Sequence, residues 1–287
     1  MKKPSGRATK SHSLAFDRAI VLFADLLGFS KLVEAAEDLT AAKKLVTKLD
    51  GFAAEFTEEC ELDGFYGRKY WIFSDSIVAA WSMRSEATAT MTEFDALLQQ
   101  LSGIAAAQGM LMIRDRQLVR GGIGRGWLRE DKDTVVSSAL VKAARLEKCV
   151  INPFIAVESE LYTYFVEHNG RETYAESIDP IHTLFIPPSD YTNGLPALDY
   201  FLITLGEIDL NRTQTLQARD IDPGEERDNF RSKCWWDNRL RYVQDHRQFI
   251  VEGLGSSVAD VHLKYEALRE HHNRRVAEHF EEAKLAI

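Results

Sequence analysis

The sequence predicts an α+β fold, in which helices cover one face of a mostly antiparallel sheet and a helical C-terminal extension follows. The continuous apolar run at residues 19–24 is typical of a central strand that is buried on both faces. Up to about residue 150 the patterns then alternate as strand, helix, hairpin, helix, strand, helix. From about Gly224 the apolar spacing is helical to the last residue.

The individual elements follow from local patterns. Residues 30–60 have the apolar spacing of one or two amphipathic helices, and residues 65–82 form a β-hairpin whose turn carries Asp75. Residues 88–108 are helical, residues 110–128 form a glycine-rich strand, and a turn at 131–133 leads into a further helix. The later apolar segments INPFIAV, IHTLFIPP and YFLITL either complete the sheet or elaborate it.

Composition limits the class of protein. With 287 residues, of which 45% are hydrophobic, the chain can bury a sizeable core. Its net charge of −9 argues against nucleic acid as the main partner. No apolar run has membrane-spanning length, so we expect no membrane association. The three scattered cysteines show no disulfide or zinc spacing, and the sequence predicts a cytoplasmic protein.

Two aspartates stand in apolar surroundings. Asp25 interrupts the stretch IVLFADLLGFS, and Asp75 lies in the hairpin turn. A buried carboxylate is costly unless it is paired or bound to a metal. If the first strand lies beside the hairpin, the two side chains converge, and such a pair suits Mg²⁺ or Mn²⁺. The alternative interpretation is that Asp25 caps a helix and Asp75 is a simple turn residue.

Two arginines are candidates for binding phosphate. Arg120 precedes a Gly-Gly pair, and Arg145 lies on the helix AARLEK. Arginine makes bidentate contacts with phosphate and stabilises charge that develops in a transition state. Either arginine alone is more typical of a surface ion pair than of a phosphate site.

Four segments together resemble the class III nucleotidyl cyclases. FADLLGFS resembles the first metal motif of that family and FSDSIVAAW the second. VRGGIGRG resembles the glycine-bearing strand, and TVVSSALVKAARLE the helix that ends in the catalytic arginine. The resemblance covers roughly residues 16–150 and implies the family's ferredoxin-like palm. We expect three regions, namely a flexible basic tail at 1–15, a catalytic domain at 16–210 and the helical extension at 211–287.

The resemblance implies a role for each matching residue. Asp25, Asp75 and the backbone of Leu26 bind two Mn²⁺ or Mg²⁺ ions, while the backbone at Gly28 and Phe29 contacts the phosphates. Arg120 grips the triphosphate, and Arg145 stabilises the transition state from the second subunit of a homodimer. The reaction implied is in-line attack of the ribose 3′-oxygen on the α-phosphorus, with loss of pyrophosphate.

The sequence also departs from the family. Trp71 replaces the lysine that helps purine cyclases select adenine, and Thr134 occupies the partner base-selecting position. Val141 replaces the ribose-positioning asparagine, and Ser74 replaces the glycine of the usual Gly-Asp pair.

These departures make the chain resemble the stand-alone bacterial pyrimidine cyclases of antiphage defence, whose product activates a separate effector. We expect UTP to be preferred to CTP. The alternatives are an adenylate or guanylate cyclase, and a degenerate cyclase fold kept as a nucleotide-binding or dimerisation module. His271 and His272 are expected to be solvated residues of a charged helix.

Overall fold

A computed structural model describes residues 17–57, 63–131, 134–175, 179–207, 217, 220–281 and 283–287. The helices are α1 (Phe29–Glu34), α2 (Leu39–Thr57), α3 (Asp63–Tyr66), α4 (Glu86–Thr90), α5 (Glu93–Arg114), α6 (Ser138–Cys149), α7 (Ser159–Glu167), α8 (Pro180–Leu184), α9 (Tyr200–Glu207), α10 (Glu225–Leu254) and α11 (Ala259–His279). The strands are β1 (Asp17–Leu26), β2 (Arg68–Phe73), β3 (Ser76–Ser82), β4 (Val119–Asp131), β5 (Thr134–Ser137), β6 (Ile155–Val157), β7 (Phe185–Ile186) and β8 (Ala197–Leu198). Short 3-10 helices lie at Asn169–Thr173, Asp190–Thr192 and Ala283–Leu285.

The strands form one sheet in the order β2-β3-β1-β4-β6-β8-β7, with β5 paired to β4. The described neighbours pair antiparallel, except for the parallel pair β4 and β6. The α+β class, the hairpin β2–β3 and the C-terminal helices are therefore confirmed. INPFIAV and IHTLFIPP contribute strands to the sheet, whereas YFLITL forms most of α9. The predicted basic tail lies outside the described residues, as do two residues of the predicted turn at 131–133.

The central strand β1 is buried on both faces, as its apolar run predicts. On one face Ile20, Leu22 and Ala24 join the main core with side chains of α2 and α5. On the other face Ala19 and Val21 pack in a smaller cluster with side chains of β3 and α6. The predicted arrangement differs in one detail, because α6 lies on the opposite face from α2 and α5.

Glycines on β4 allow α6 to lie directly on the sheet. A Cβ atom at Gly122 would come within 2.2 Å of the carbonyl oxygen of Ala143, and one at Gly124 within 2.7 Å of that of Ala139. Backbone cannot move aside as a flexible side chain can, so β4 requires glycine at these positions. This close packing fixes which side of α6 faces the strand.

The C-terminal helices share a second core with the sheet. Side chains of α9, α10 and α11 pack there with Phe154, beside β6, and with Ala156 in β6. His271 and His272 are fully buried in this core, so the expectation that they are solvated is wrong. The charged sequence of this helix does not predict their burial, because the hydrogen-bond partners come from distant segments. The boundary predicted near residue 210 lies among residues outside the described ranges and stays a prediction.

One described helix, α5, is long and apolar enough to cross a membrane. However, 67% of its most apolar window is buried inside the fold. Its side chains form much of the main core, among them Leu97, Leu101 and Ile104. The helix therefore serves as a core helix in this structure.

Candidate active site

The site is built from the adjacent ends of β1, β3 and β4. Antiparallel pairing places Asp25 opposite Ser76 on β3 and opposite Arg120 on β4. Directly paired residues lie on the same face of a sheet, so these three side chains share one surface. The Ser76 hydroxyl donates a hydrogen bond of 3.1 Å to Oδ1 of Asp25. Oδ2 of Asp25 lies 4.0 Å from Nη2 of Arg120.

The β2–β3 turn brings Asp75 to the same place. Phe73 pairs with Ser76, which leaves Ser74 and Asp75 as a two-residue turn. Ser74 has φ = 56°, a left-handed conformation that glycine adopts without strain. The carbonyl oxygen of Asp75 accepts a hydrogen bond of 3.1 Å from the backbone N–H of Leu26. The turn is thereby fixed to the end of β1, next to Asp25.

The carboxylate of Asp25 lacks full compensation. Its pKa is raised from 3.8 to about 6. Burial is the largest cause, and the negative charge of Asp75 is the second. The hydrogen bond from Ser76 and the charge of Arg120 only partly oppose this increase. A carboxyl group with a raised pKa, beside a second carboxylate, is typical of a functional site.

The donor set fits a hard divalent cation. The described residues contain no cluster of three or more His, Cys, Asp or Glu side chains that could hold a metal alone. Mg²⁺ and Mn²⁺ do not require such a cage, because one or two carboxylates, waters and substrate phosphates suffice. Asp25 and Asp75 supply two carboxylates whose mutual repulsion a cation would offset.

The loop after β1 differs from the expected phosphate-binding helix start. Gly28 has φ = 84° and precedes α1, which has only six residues. The N–H of Leu26 is already bonded to Asp75, and the N–H of Leu27 donates to the carbonyl oxygen of Leu118 at 2.9 Å. Phe29 is buried, with 6% of its surface exposed. If Gly28 and Phe29 contact phosphate, they must do so through their own backbone groups, because no long helix supplies a dipole here.

Arg120 is held by two acidic residues. It forms an ion pair with Glu147 of α6 in addition to its contact with Asp25. Glu147 is 5% exposed, and Nε of Arg120 is buried without a hydrogen-bond partner. The guanidinium is thus positioned at the sheet end beside Asp25.

Arg145 points away from this cluster. Residues Leu146 and Glu147 meet β4, as does Ala143 one turn earlier. Arg145 is two positions from both Ala143 and Glu147, so it lies on the opposite side of the helix. Arg145 is exposed there, one turn from Val141, whose surface is 50% exposed. The structure therefore does not bring Arg145 to the Asp25 of its own chain.

Trp71 lies on the same face of the sheet as Asp25. Phe73, two residues later on β2 and therefore on the same face, pairs with Ser76 and is 59% exposed. Trp71 is half-buried and packs against the small cluster that contains Val78 and Ala80. Thr134 begins β5 and pairs through its backbone with Asp131.

Sequence reasoning missed two members of the site, Ser76 and Glu147. Ser76 could have been found from the antiparallel pairing, because the residue that follows the turn faces the end of β1. Glu147 could have been found from helical spacing, since it lies one turn after Ala143 on the side that faces the glycines of β4.

No protein-family model matches the chain. No curated protein matches it significantly. The adenylyl cyclase CyaB from P. aeruginosa is similar in structure, with a TM-score of 0.43 and 17% identity over 54% of this chain and 83% of that chain. The guanylyl cyclase Cya2 has a TM-score of 0.41 and 11% identity, over 64% of this chain and 91% of that chain.

A class III adenylyl cyclase-like ATP-binding protein from Pseudomonas aeruginosa also resembles the chain. Its TM-score is 0.43 and its identity 11%, over 92% of this chain and 60% of that chain. With TM-scores below 0.5, these likenesses leave family and activity to be argued from the residues of the site.

Proposed function

We propose that the chain is a nucleotidyl cyclase, which converts a nucleoside triphosphate into its 3′,5′-cyclic monophosphate and pyrophosphate. The observation that carries this proposal is the grouping of Asp25, Asp75 and Arg120 at one end of the sheet. Two carboxylates and an arginine on rigid strand ends form the combination that phosphoryl transfer needs.

Each side chain has a distinct task in this scheme. Asp25, Asp75 and the carbonyl oxygen of Leu26 would hold two Mg²⁺ or Mn²⁺ ions, which supply charge neutralisation and acidify the ribose 3′-hydroxyl. Arg120 binds the triphosphate through the Nη groups of its guanidinium, which move partly away from Glu147. The 3′-oxygen then bonds to the α-phosphorus while the bond to the pyrophosphate oxygen breaks, and the 3′-proton passes to solvent.

The active form in this proposal is a homodimer. Support comes from the orientation of Arg145, which is exposed on the side of α6 that faces away from β4. Val141 and Val136, each 50% exposed, leave apolar surface on and beside this helix. A second copy would cover that surface and place its Arg145 against the transition state of the first copy.

Complementation tests the shared site. Asp25→Ala and Arg145→Ala are each expected to abolish product formation, because each breaks both sites of a homodimer. Mixing the two variants restores one intact site per heterodimer, and cyclic nucleotide is measured by chromatography. Absence of restored activity in heterodimers isolated with two affinity tags contradicts a shared site.

We further propose a pyrimidine substrate, with UTP preferred to CTP. The support is Trp71, which lies on the face of Asp25 where a purine cyclase carries lysine, together with Val141 in place of asparagine. A cyclic pyrimidine nucleotide would then act on a separate effector in antiphage defence, within the cytoplasm. The same residues leave an adenylate or guanylate cyclase as the second candidate.

Incubation of the protein with each of the four nucleoside triphosphates and Mn²⁺ decides between the candidates. Cyclic UMP is the expected main product, and cyclic AMP or GMP as main product overturns the pyrimidine assignment. Nucleotide binding without any cyclic product, unchanged in Asp75→Ala, would identify a degenerate binding module instead.

A further inference from the structure

A cavity of about 170 Å³ lies between the loop that follows Asp25 and the C-terminal helices. One wall is the loop at residues 26–29, which directly follows Asp25. The opposite wall is α11, through Val261, Lys264 and Tyr265. The extension thus reaches the part of the catalytic sheet where phosphates would bind.

Cations gather around this cavity although the chain as a whole carries a charge of −9. Lys264, Lys48 and Arg116 line it. Arg116 is neutralised by an ion pair with Glu252. Lys264 takes part in no ion pair within the described residues. Burial lowers its pKa, and the positive charges of Arg120 and Lys31 lower it further against the opposing charge of Asp260.

This arrangement is costly in the absence of a ligand. Lys264 is half-buried in a cavity whose lining includes the apolar side chains of Leu27, Leu32 and Leu118. The positive charges of Arg120 and Lys31 also act on it. Like charges in a partly desolvated space repel one another more strongly than in water. A polyanion would reverse the sign of that interaction, and phosphate oxygens suit both ammonium and guanidinium groups.

The position of Lys264 is fixed by its neighbour. The Tyr265 ring lies where a Cβ atom at Gly253 of α10 would come within 2.1 Å of it. It also packs edge-on against Phe249, with ring centroids 5.4 Å apart. Tyr265 therefore anchors the start of α11 on α10, and this holds the adjacent Lys264 at the cavity.

We propose that Lys264 binds the β- and γ-phosphates of the bound nucleoside triphosphate, so that the C-terminal helices complete the substrate site. This inference rests on the proposed function. Lys264 and Arg120 approach the same polyphosphate from α11 and β4, while the carboxylates of Asp25 and Asp75 lie at the adjacent strand end. Pyrophosphate, the part of the substrate that leaves, carries the charge that Lys264 recognises.

The test is calorimetric binding of pyrophosphate to the full chain in the presence of Mn²⁺. Pyrophosphate is used because it is independent of which base the enzyme accepts. Lys264→Met keeps the aliphatic stem and removes the charge, and it is expected to weaken binding by about tenfold or more. Lys264→Arg should retain most of the affinity. Lys233→Met, which removes an exposed lysine of α10 outside the cavity, should bind as the wild type does.

The readouts separate this inference from the proposed function. The Km for the triphosphate should rise in Lys264→Met, while the affinity for the matching nucleoside monophosphate stays unchanged. If the wild-type protein has cyclase activity and both Lys264→Met and Lys264→Gln bind pyrophosphate as tightly as the wild type does, only this inference is overturned. Absence of cyclic product from wild-type protein with all four triphosphates overturns the proposed function, and the inference with it. Thermal unfolding confirms that each variant is folded.

Discussion

Two aspartates of this protein, the fully buried Asp199 and the partly buried Asp25, have opposite electrostatic surroundings. Asp199 is fully buried next to the second core, yet its pKa is lowered. Burial alone would raise that pKa, but the charge and hydrogen bond of His271 and the charge of Arg275 outweigh it. The side chain of Asp25 is 23% exposed, and its pKa is raised to about 6.

The two pKa values differ because the carboxylates have different partners, and not because one is buried more deeply. Asp199 contacts His271 and the guanidinium of Arg275, and it accepts a hydrogen bond of 3.0 Å from the backbone N–H of Leu202. Asp25 has a second carboxylate beside it and shares its arginine with Glu147. A buried charge whose partners neutralise it has a structural role, whereas a charge without such partners is available to bind a ligand. Each of the following experiments tests this contrast.

The largest effect is expected from Asp25→Asn. Loss of a metal ligand should lower cyclase activity by about a thousandfold or more. The free energy of unfolding at pH 8 without metal should rise by about 1–3 kcal/mol, because a poorly compensated charge is removed. Activity assays and urea unfolding measure the two effects. A large loss of stability in this variant would show that Asp25 is structural.

Asp199→Ala should lower the stability of the protein, whereas Asp25→Asn should raise it. Removal of this carboxylate leaves Arg275 without its buried partner and with only the exposed Glu278, and the protein should lose about 3–5 kcal/mol of unfolding free energy. The control is Asp245→Ala, which breaks an exposed pair with Arg241 at 3.7 Å and should change stability by about 0.5 kcal/mol or less. Equal effects of the two substitutions in urea unfolding would contradict the contrast.

The pH dependence of stability should reveal the charge of Asp25. Its pKa is about 6 in the folded protein against the usual 3.8, so the folded state binds this proton more tightly than the unfolded chain. The resulting stabilisation is present below pH 3.8 and is lost as the pH rises through 6. Mn²⁺ should restore stability above pH 6 and have little effect at pH 5, where the proton competes with the metal. Melting temperatures with and without Mn²⁺, compared between wild type and Asp25→Asn, check this.

The smallest effect is expected from Ser76→Ala. The Ser76 hydroxyl donates to Asp25 and lowers its pKa, so its removal should raise that pKa further. The acidic limb of the activity profile should then move to higher pH with little change in the plateau. A profile that superimposes on that of the wild type would mean that the hydrogen bond does not influence Asp25 in solution.

Local sequence patterns predicted the parts of the site that lie close to a strand or turn. The apolar run around Asp25 predicted β1, and the hairpin pattern predicted the turn that carries Asp75. Their proximity followed from placing one strand beside the other. Helical spacing could place Glu147 on the inward side of α6, but its ion pair with Arg120 could not be read in this way, because that pair depends on the packing of α6 on the glycines of β4. His271 and His272 were misplaced for the same reason, since their burial depends on contacts with remote segments.

The sequence by itself determined the order of the elements, the buried central strand and the two carboxylates that interrupt apolar surroundings, because these depend on periodicity and on residues close in the chain. Only the tertiary structure decided that Arg145 faces outward, that Asp199 is neutralised and that Lys264 reaches the cavity beside Asp25. Those facts depend on which distant surfaces pack together, and the free energy of such packing is shared among many residues. No short segment of the chain carries that information.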